Sequence, residues 1–255
     1  MTSPLVKISS VNKRYGRGAL ILDALSLDVA QGEFVSLIGP SGCGKSTLLK
    51  LIASLSPVTE GLITVDEKTP REAREEMAFI FQEPTLLPWR TVIRNVELPL
   101  EVKGMGHTKR AGIAERMLKL VGLDHAMEHY PRQLSGGMKM RVSIARALTL
   151  FPKILLLDEP FGALDEMTRD RLNEELLAIR LAQKFTAFFV THSVAEAVFL
   201  SSHIVVMSAN PGRLHKTIPV PFPYPRTVET RESPAFQHCV TEVSRVLRSV
   251  TPQTL

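Results

Sequence analysis

Two rhythms of apolar and polar positions run along this chain. Leu5–Val11 alternates with a period of two, which predicts a half-buried strand, and Ile21–Val29 repeats the pattern less regularly. A turn at Gln31-Gly32 leads into Phe34–Ile38, a short apolar run suited to a strand covered on both faces. Leu48, Leu49, Leu51, Ile52 and Leu55 then fall at helical spacing, with Pro57 as the stop signal. Residues 61–65 and 77–81 read as strands with a polar connection between them. From about 88 to 150 the helical rhythm takes over, in the stretches 95–102, 109–120 and 137–150. Strand texture returns at 154–158, 186–191 and 204–207, with a helical stretch over 170–183. Strands alternating with helices predict an α/β core with a mostly parallel sheet, into which the middle stretch is inserted as helices.

The tail has its own texture. Pro219, Pro221, Pro223 and Pro225 predict an extended, polyproline-like spacer over the surface. Ser233-Pro234 then has the form of an N-cap followed by proline at the first helical position. Phe236, Val240, Val243, Leu247 and Val250 form an apolar stripe for packing on the core or for a partner.

Composition narrows the class. Of 255 residues, 44% are hydrophobic and 22% charged, the balance of a folded soluble domain. The net charge of +5 is interspersed with acids, so no concentrated nucleic-acid footprint is present. The start, MTSPLVKISSV, lacks the basic and long apolar regions of a signal peptide. No apolar run approaches the roughly 18 residues of a membrane span. Cys43 and Cys239 are far apart and form no CxxC, as expected in a reducing cytoplasm.

The chemistry begins at residues 39–47, GPSGCGKST. Gly39, Gly44, Lys45 and Ser46 meet the pattern GxxxxGK[ST], between a predicted strand and a predicted helix. Glycines let successive N–H groups turn toward one centre, and the following helix adds its positive end. The loop Gly39, Pro40, Ser41, Gly42, Cys43, Gly44, Lys45, Ser46 and Thr47 is therefore the expected cradle for ATP. Lys45 reaches the β- and γ-phosphates, and the Ser46 hydroxyl joins Mg²⁺. A carboxylate site is needed beside it. Lys153–Glu159 reads KILLLDE, a buried strand ending in two acids. Asp158 is placed to hold Mg²⁺, directly or through water, and Glu159 to orient or deprotonate the attacking water.

Leu134-Ser135-Gly136-Gly137, followed by MKMRVSIARAL, resembles the signature of the nucleotide-binding subunits of ABC transporters. The resemblance covers about residues 5–215. It implies a P-loop NTPase core with an N-terminal antiparallel β subdomain and an inserted α-helical subdomain. The ATPase core would occupy 1–87 and 151–215 and the helical subdomain about 88–150. A Pro-rich segment and C-terminal helix would fill 216–255. Ser135, Gly136 and Gly137 would close on the γ-phosphate held by a second copy, in a head-to-tail pair. Tyr15 matches the residue that stacks on adenine, and Asp165 the D-loop. Gln82 matches the glutamine that senses Mg²⁺ and the attacking water, and His192 the switch histidine that contacts the γ-phosphate. His107, His125, His129, His203, His215 and His238 carry no such match and are read as surface residues. The chain departs from the pattern at Met138 and at Met140, where glutamine is usual, and in a short polar segment at 66–76.

QEPTLLPWRTV at 82–92, MSANPGRL at 207–214 and SPAF at 233–236 resemble the nitrate/sulfonate/taurine importer branch. The resemblance implies an ATPase at the cytoplasmic face of a membrane, with permease subunits and an extracytoplasmic solute-binding protein as partners. Leu86, Leu87, Pro88 and Trp89 would pack internally, line a groove for a permease helix, or do both. Import of a pyrimidine or riboflavin-like compound, and a soluble ABC ATPase acting on nucleic acid or ribosomes, stand as alternatives.

Overall fold

The computed structural model describes residues 3–16 and 18–251. Residues 1, 2, 17 and 252–255, which the domain range 1–255 takes in, lie outside the described residues. Three strands, β1 (Val6–Arg14), β2 (Leu20–Val29) and, after the first helix, β4 (Glu60–Val65), form an antiparallel sheet in the order β2-β1-β4.

The main sheet starts with β3 (Phe34–Ile38), whose five residues are all buried. It adds β5 (Met77–Ile80), β6 (Ile154–Asp158), β7 (Thr186–Val190), β8 (His203–Ser208) and β9 (Arg213–Pro219). The order is β5-β6-β7-β3-β8-β9, parallel except for β9, which runs antiparallel to β8. Period-two alternation divides the core between the faces of this sheet. Val35, Leu37, Phe188 and Val190 pack with α1 (Lys45–Ile52) and the antiparallel sheet. Phe34, Ile38, Phe189 and Val206 face the remaining helices.

Those helices are α2 (Val92–Val102), α3 (His107–Leu120), α4 (Gly136–Leu148), α5 (Glu166–Gln183), α6 (Val194–Leu200), α7 (Val228–Glu232) and α8 (Pro234–Val250). The first three pack on one another, and α5, α6 and α8 share the same apolar cluster.

Several expectations need correction. Leu55 does not belong to α1 and is 58% exposed, and Pro57 is not the stop. The helix ends at Ile52 in a Schellman turn: Ser54 takes φ 56°, Ser54 N–H donates to Leu51 O, and Leu55 N–H to Lys50 O. Serine stands where such turns usually carry glycine, so the signal was absent. α2 starts at Val92, because Thr91 is its extended N-cap and Asn95 lies inside, buried. α5 starts four residues before the expected Asp170, because Asp165 accepts from Thr168 N–H as N-cap. α6, α7 and β9 carried no periodicity long enough to find.

The proline-rich tail is packed rather than a free spacer. β9 takes in Pro219, Val220 is buried, and the Phe222 ring lies 5.9 Å from Phe236. The stripe of α8 packs on the core: Phe236 and Val243 are buried, and Val240, Leu247 and Val250 rest against the cluster. Met140 is 3% exposed in the same cluster, so an apolar side chain suits that place. His203 is half-buried and contacts Glu33 at 3.2 Å, against the surface reading; the other five of those histidines are exposed.

Candidate nucleotide site

β7 lies between β6 and β3, so three strand ends meet at one edge of the sheet. β3 delivers the phosphate-loop motif, β6 delivers Asp158 and Glu159, and β7 delivers Thr191 and His192. Ligands of open α/β sheets bind beyond such carboxyl ends.

Two glycines of the loop are sterically required. A Cβ on Gly39 would sit 2.5 Å from Met207 O and 2.8 Å from Cys43 Sγ. Gly44 has φ +93°, and a Cβ there would sit 2.5 Å from Leu22 Cδ2. Gly44 is also the N-cap of α1 and has no side chain to cap it. The first N–H groups of the helix are thus left for an anion. Lys45 is buried, and its Nζ donates to Gly39 O at 2.9 Å and Pro40 O at 3.2 Å. Cys43 points inward, and burial pushes its thiol up while Lys45 opposes that.

Ser46 Oγ donates to Asp158 Oδ1 at 2.7 Å. Burial raises the Asp158 carboxyl above its ordinary value, and the Ser46 hydrogen bond works against that. Glu159 follows at φ 50°, a left-handed backbone for a non-glycine residue. Its N–H donates to Val190 O at 3.1 Å, and its C=O accepts from Gly162 N–H at 3.2 Å. Glu159 Oε1 lies 2.8 Å from His192 Nε2.

A cavity of 320 Å³ collects Tyr15, Ser41, Gly42, Gly44, Lys45, Ser46, Thr47, Glu159 and His192. A second, of 260 Å³, shares Glu159 and His192 and adds Gln82. Tyr15 is 51% exposed, with Lys13 Nζ 4.5 Å above its ring. Gly39, Pro40 and Cys43 form the turn under the first cavity without lining it. Ser135, Gly136, Gly137 and Asp165 line neither cavity. Ser135 caps α4 by accepting from Met138 N–H, and Ser135 and Gly136 are exposed. A Cβ on Gly136 would lie 3.2 Å from Leu164, and one on Gly137 3.0 Å from Thr168, so this helix end rests on the start of α5.

The sequence reading missed a polar group behind His192: Thr191, Ser193, Glu196, Arg169 and Asn173. Ser193-x-x-Glu196 has the spacing of a capping box, which was the available signal. A larger cavity, 650 Å³, lies elsewhere, beside Leu55, Arg71, Arg74 and Phe79. Among the described residues no helix is long and apolar enough to cross a membrane.

The chain is similar to known proteins. A family model described as ABC transporter matches residues 22–162, more than half the chain. An ATP-binding protein of Brucella abortus is 46% identical over 251 residues, 98% of this chain and 96% of that protein. An aliphatic sulfonates import ATP-binding protein of Bacillus licheniformis is 45% identical over 228 residues, 88% of this chain and 87% of that one. A dimeric, post-hydrolysis ATP-binding cassette bound to ADP and Pi matches with TM-score 0.75 at 34% identity, covering 85% of this chain and 99% of that one.

Proposed function

This chain belongs to the ABC transporter family as an ATP-binding, ATP-hydrolysing cassette, and we propose that it energises a membrane importer for a small solute as one half of a head-to-tail pair. The observation that carries the site assignment is the convergence of Lys45, Ser46, Asp158, Glu159 and His192 on the open N-terminus of α1. The phosphates of ATP take the N–H groups of residues 41–47, and Lys45 turns from its own carbonyls to the β- and γ-phosphates. Tyr15 stacks on adenine.

Glu159 accepts a proton from the water that attacks the γ-phosphorus, and the bond to the ADP oxygen breaks. His192 holds the γ-phosphate, and Gln82 orients the water from the adjoining cavity. Mg²⁺ fits the hard oxygens of Ser46, Asp158 and Gln82. Among the described residues no cluster of three or more His, Cys, Asp or Glu forms a closed metal cage. That donor set suits an ion completed by phosphate and water. Bound there, it would neutralise charge developing on the phosphates.

Ser135, Gly136 and Gly137 line neither cavity of this site, so their anion site serves a second copy, with Asp165 in the same interface. The dimeric form of the matched cassette supports this pairing. The permease surface lies around Gln82. Trp89 is 71% exposed, Phe81 is exposed, and the Phe81 ring lies 4.5 Å from Phe79 at the edge of the 650 Å³ cleft. Leu86 packs on the core while Trp89 stays free, so the segment supports a groove and presents its rim. The chain then works at the cytoplasmic membrane face, with permease subunits and an extracytoplasmic solute-binding protein. The importer name of the Bacillus relative supports the nitrate/sulfonate/taurine class.

Lys45→Ala tests the phosphate site. ATP binding, measured by equilibrium dialysis, should be lost together with turnover; unchanged turnover would sink the assignment. Trp89→Ala tests the groove. It should cut permease co-purification while ATP binding stays intact, and full assembly would return Trp89 to a local role.

A further inference from the structure

His192 is exposed, yet the residues on both sides of it are tied down. Thr191 is buried and Ser193 half-buried. Thr191 Oγ1 accepts from Ser193 N–H at 2.9 Å, closing a tight turn around His192. The same hydroxyl donates to Glu196 Oε2. Glu196 N–H donates to Ser193 Oγ at 3.3 Å, so Ser193 caps α6. In an ordinary capping box the glutamate would return to the backbone of the cap residue. Here Glu196 bonds Thr191 instead, and the Thr191 hydroxyl takes the Ser193 N–H.

Glu196 is 5% exposed, and its other oxygen meets α5. Oε1 accepts from Asn173 Nδ2 at 3.4 Å and lies 3.9 Å from Arg169 Nε. Burial pushes the Glu196 carboxyl up, and the bonds from Thr191 and Asn173 and the charge of Arg169 oppose that. A buried acid costs stability unless its partners are all in place. Its position is explained by what it holds. Glu196 and Thr191 also line the 260 Å³ cavity that contains Gln82, Glu159 and His192.

We propose that Glu196 and Thr191 are positioning residues for hydrolysis: they fix the turn Thr191–Ser193 to α5 so that His192 stays within reach of Glu159 and the γ-phosphate. This rests on the reading of His192 as the γ-phosphate contact. The same α5 carries Thr168 against the signature glycine Gly137, so one helix links the turn of His192 to the end of α4.

The test uses the full-length chain with Thr191→Val, Thr191→Ser, Glu196→Gln, His192→Ala and the double variant Thr191→Val/His192→Ala. ATP affinity, steady-state turnover and Tm are measured for each. Valine matches threonine in shape but has no hydroxyl, whereas serine keeps it. Thr191→Val should lower kcat at least tenfold with ATP affinity within about threefold of the parent, and Thr191→Ser should restore most of that loss. Glu196→Gln, which reverses one side of the Thr191 bond, should fall with Thr191→Val. The double variant should be no slower than His192→Ala alone, because both changes remove one function. Parental turnover in Thr191→Val, or a loss that multiplies in full onto His192→Ala, overturns the proposal. Parental turnover in His192→Ala would overturn the reading of His192 itself, and the proposal with it; a slow His192→Ala beside a fast Thr191→Val overturns the proposal alone.

Discussion

Glu159 joins backbone strain to a proposed catalytic role. A left-handed φ at a non-glycine residue persists only when its neighbours hold it, and the bonds through Val190 and Gly162 do so. Asp158, one residue before, carries a different tension. Its folded-state carboxyl is raised by burial, so the folded chain takes up a proton more readily than the unfolded chain. Its favourable contribution is complete below the unfolded value and is lost as pH rises through the raised folded value. Asp158→Asn should therefore raise the nucleotide-free Tm, and the gain should grow between pH 4 and pH 7 while turnover disappears. A gain that is flat with pH would show that burial does not strain this carboxyl. Residues tied to a fixed motif, such as Lys45 and Ser46, were legible because their chemistry demands a spacing. Glu196 was not, since its partners Arg169 and Asn173 come from a distant helix and sequence spacing does not report that contact, and Thr191 is tied in only through Glu196 and Ser193.

Among the elements, the best read were the strands of the parallel sheet, because burial on both faces leaves short unbroken apolar runs. Helix ends were read less well wherever the terminating device was local and atypical, as at Ser54 and Thr91. The packing of the tail was hidden for another reason: beside the apolar contacts of Val220 and Phe222 it depends on polar contacts to residues distant in the chain. Tyr224 Oη donates to Leu200 O at 2.6 Å, and its ring lies 4.2 Å from both the Arg180 and the Arg226 guanidinium. Arg226 is buried and donates to Val198 O and Phe199 O at 2.8 Å, where α6 ends, and to Phe222 O. A cation at a helix C-terminus satisfies its last carbonyls and complements the dipole. Arg226→Met leaves those carbonyls unpaired and should cost about 2–3 kcal/mol. A urea titration should show a lower midpoint at unchanged slope, with new protease cleavage between β9 and α8. An unchanged midpoint would mean the tail does not hold α6.

At the scale of the whole molecule, the cavities and the signature point to a site larger than one chain. Lys45, Ser46, Glu159 and His192 share one cavity, with Asp158 bonded to Ser46, while Ser135, Gly136 and Gly137 line neither cavity of that site. An anion site at an exposed helix start and a phosphate loop open on one side would be complementary halves, joined by a two-fold axis in the proposed pair. ATP would then act as the link between copies, and hydrolysis would remove it. An isolated subunit should hydrolyse ATP poorly, with turnover per chain rising with protein concentration. The most direct test is the mass of Glu159→Gln, which keeps the shape of the site and removes the proposed base. Sedimentation or size-exclusion measurements should find a dimer with ATP and a monomer with ADP. A Glu159→Gln chain that binds ATP and stays monomeric at every concentration would contradict the shared site.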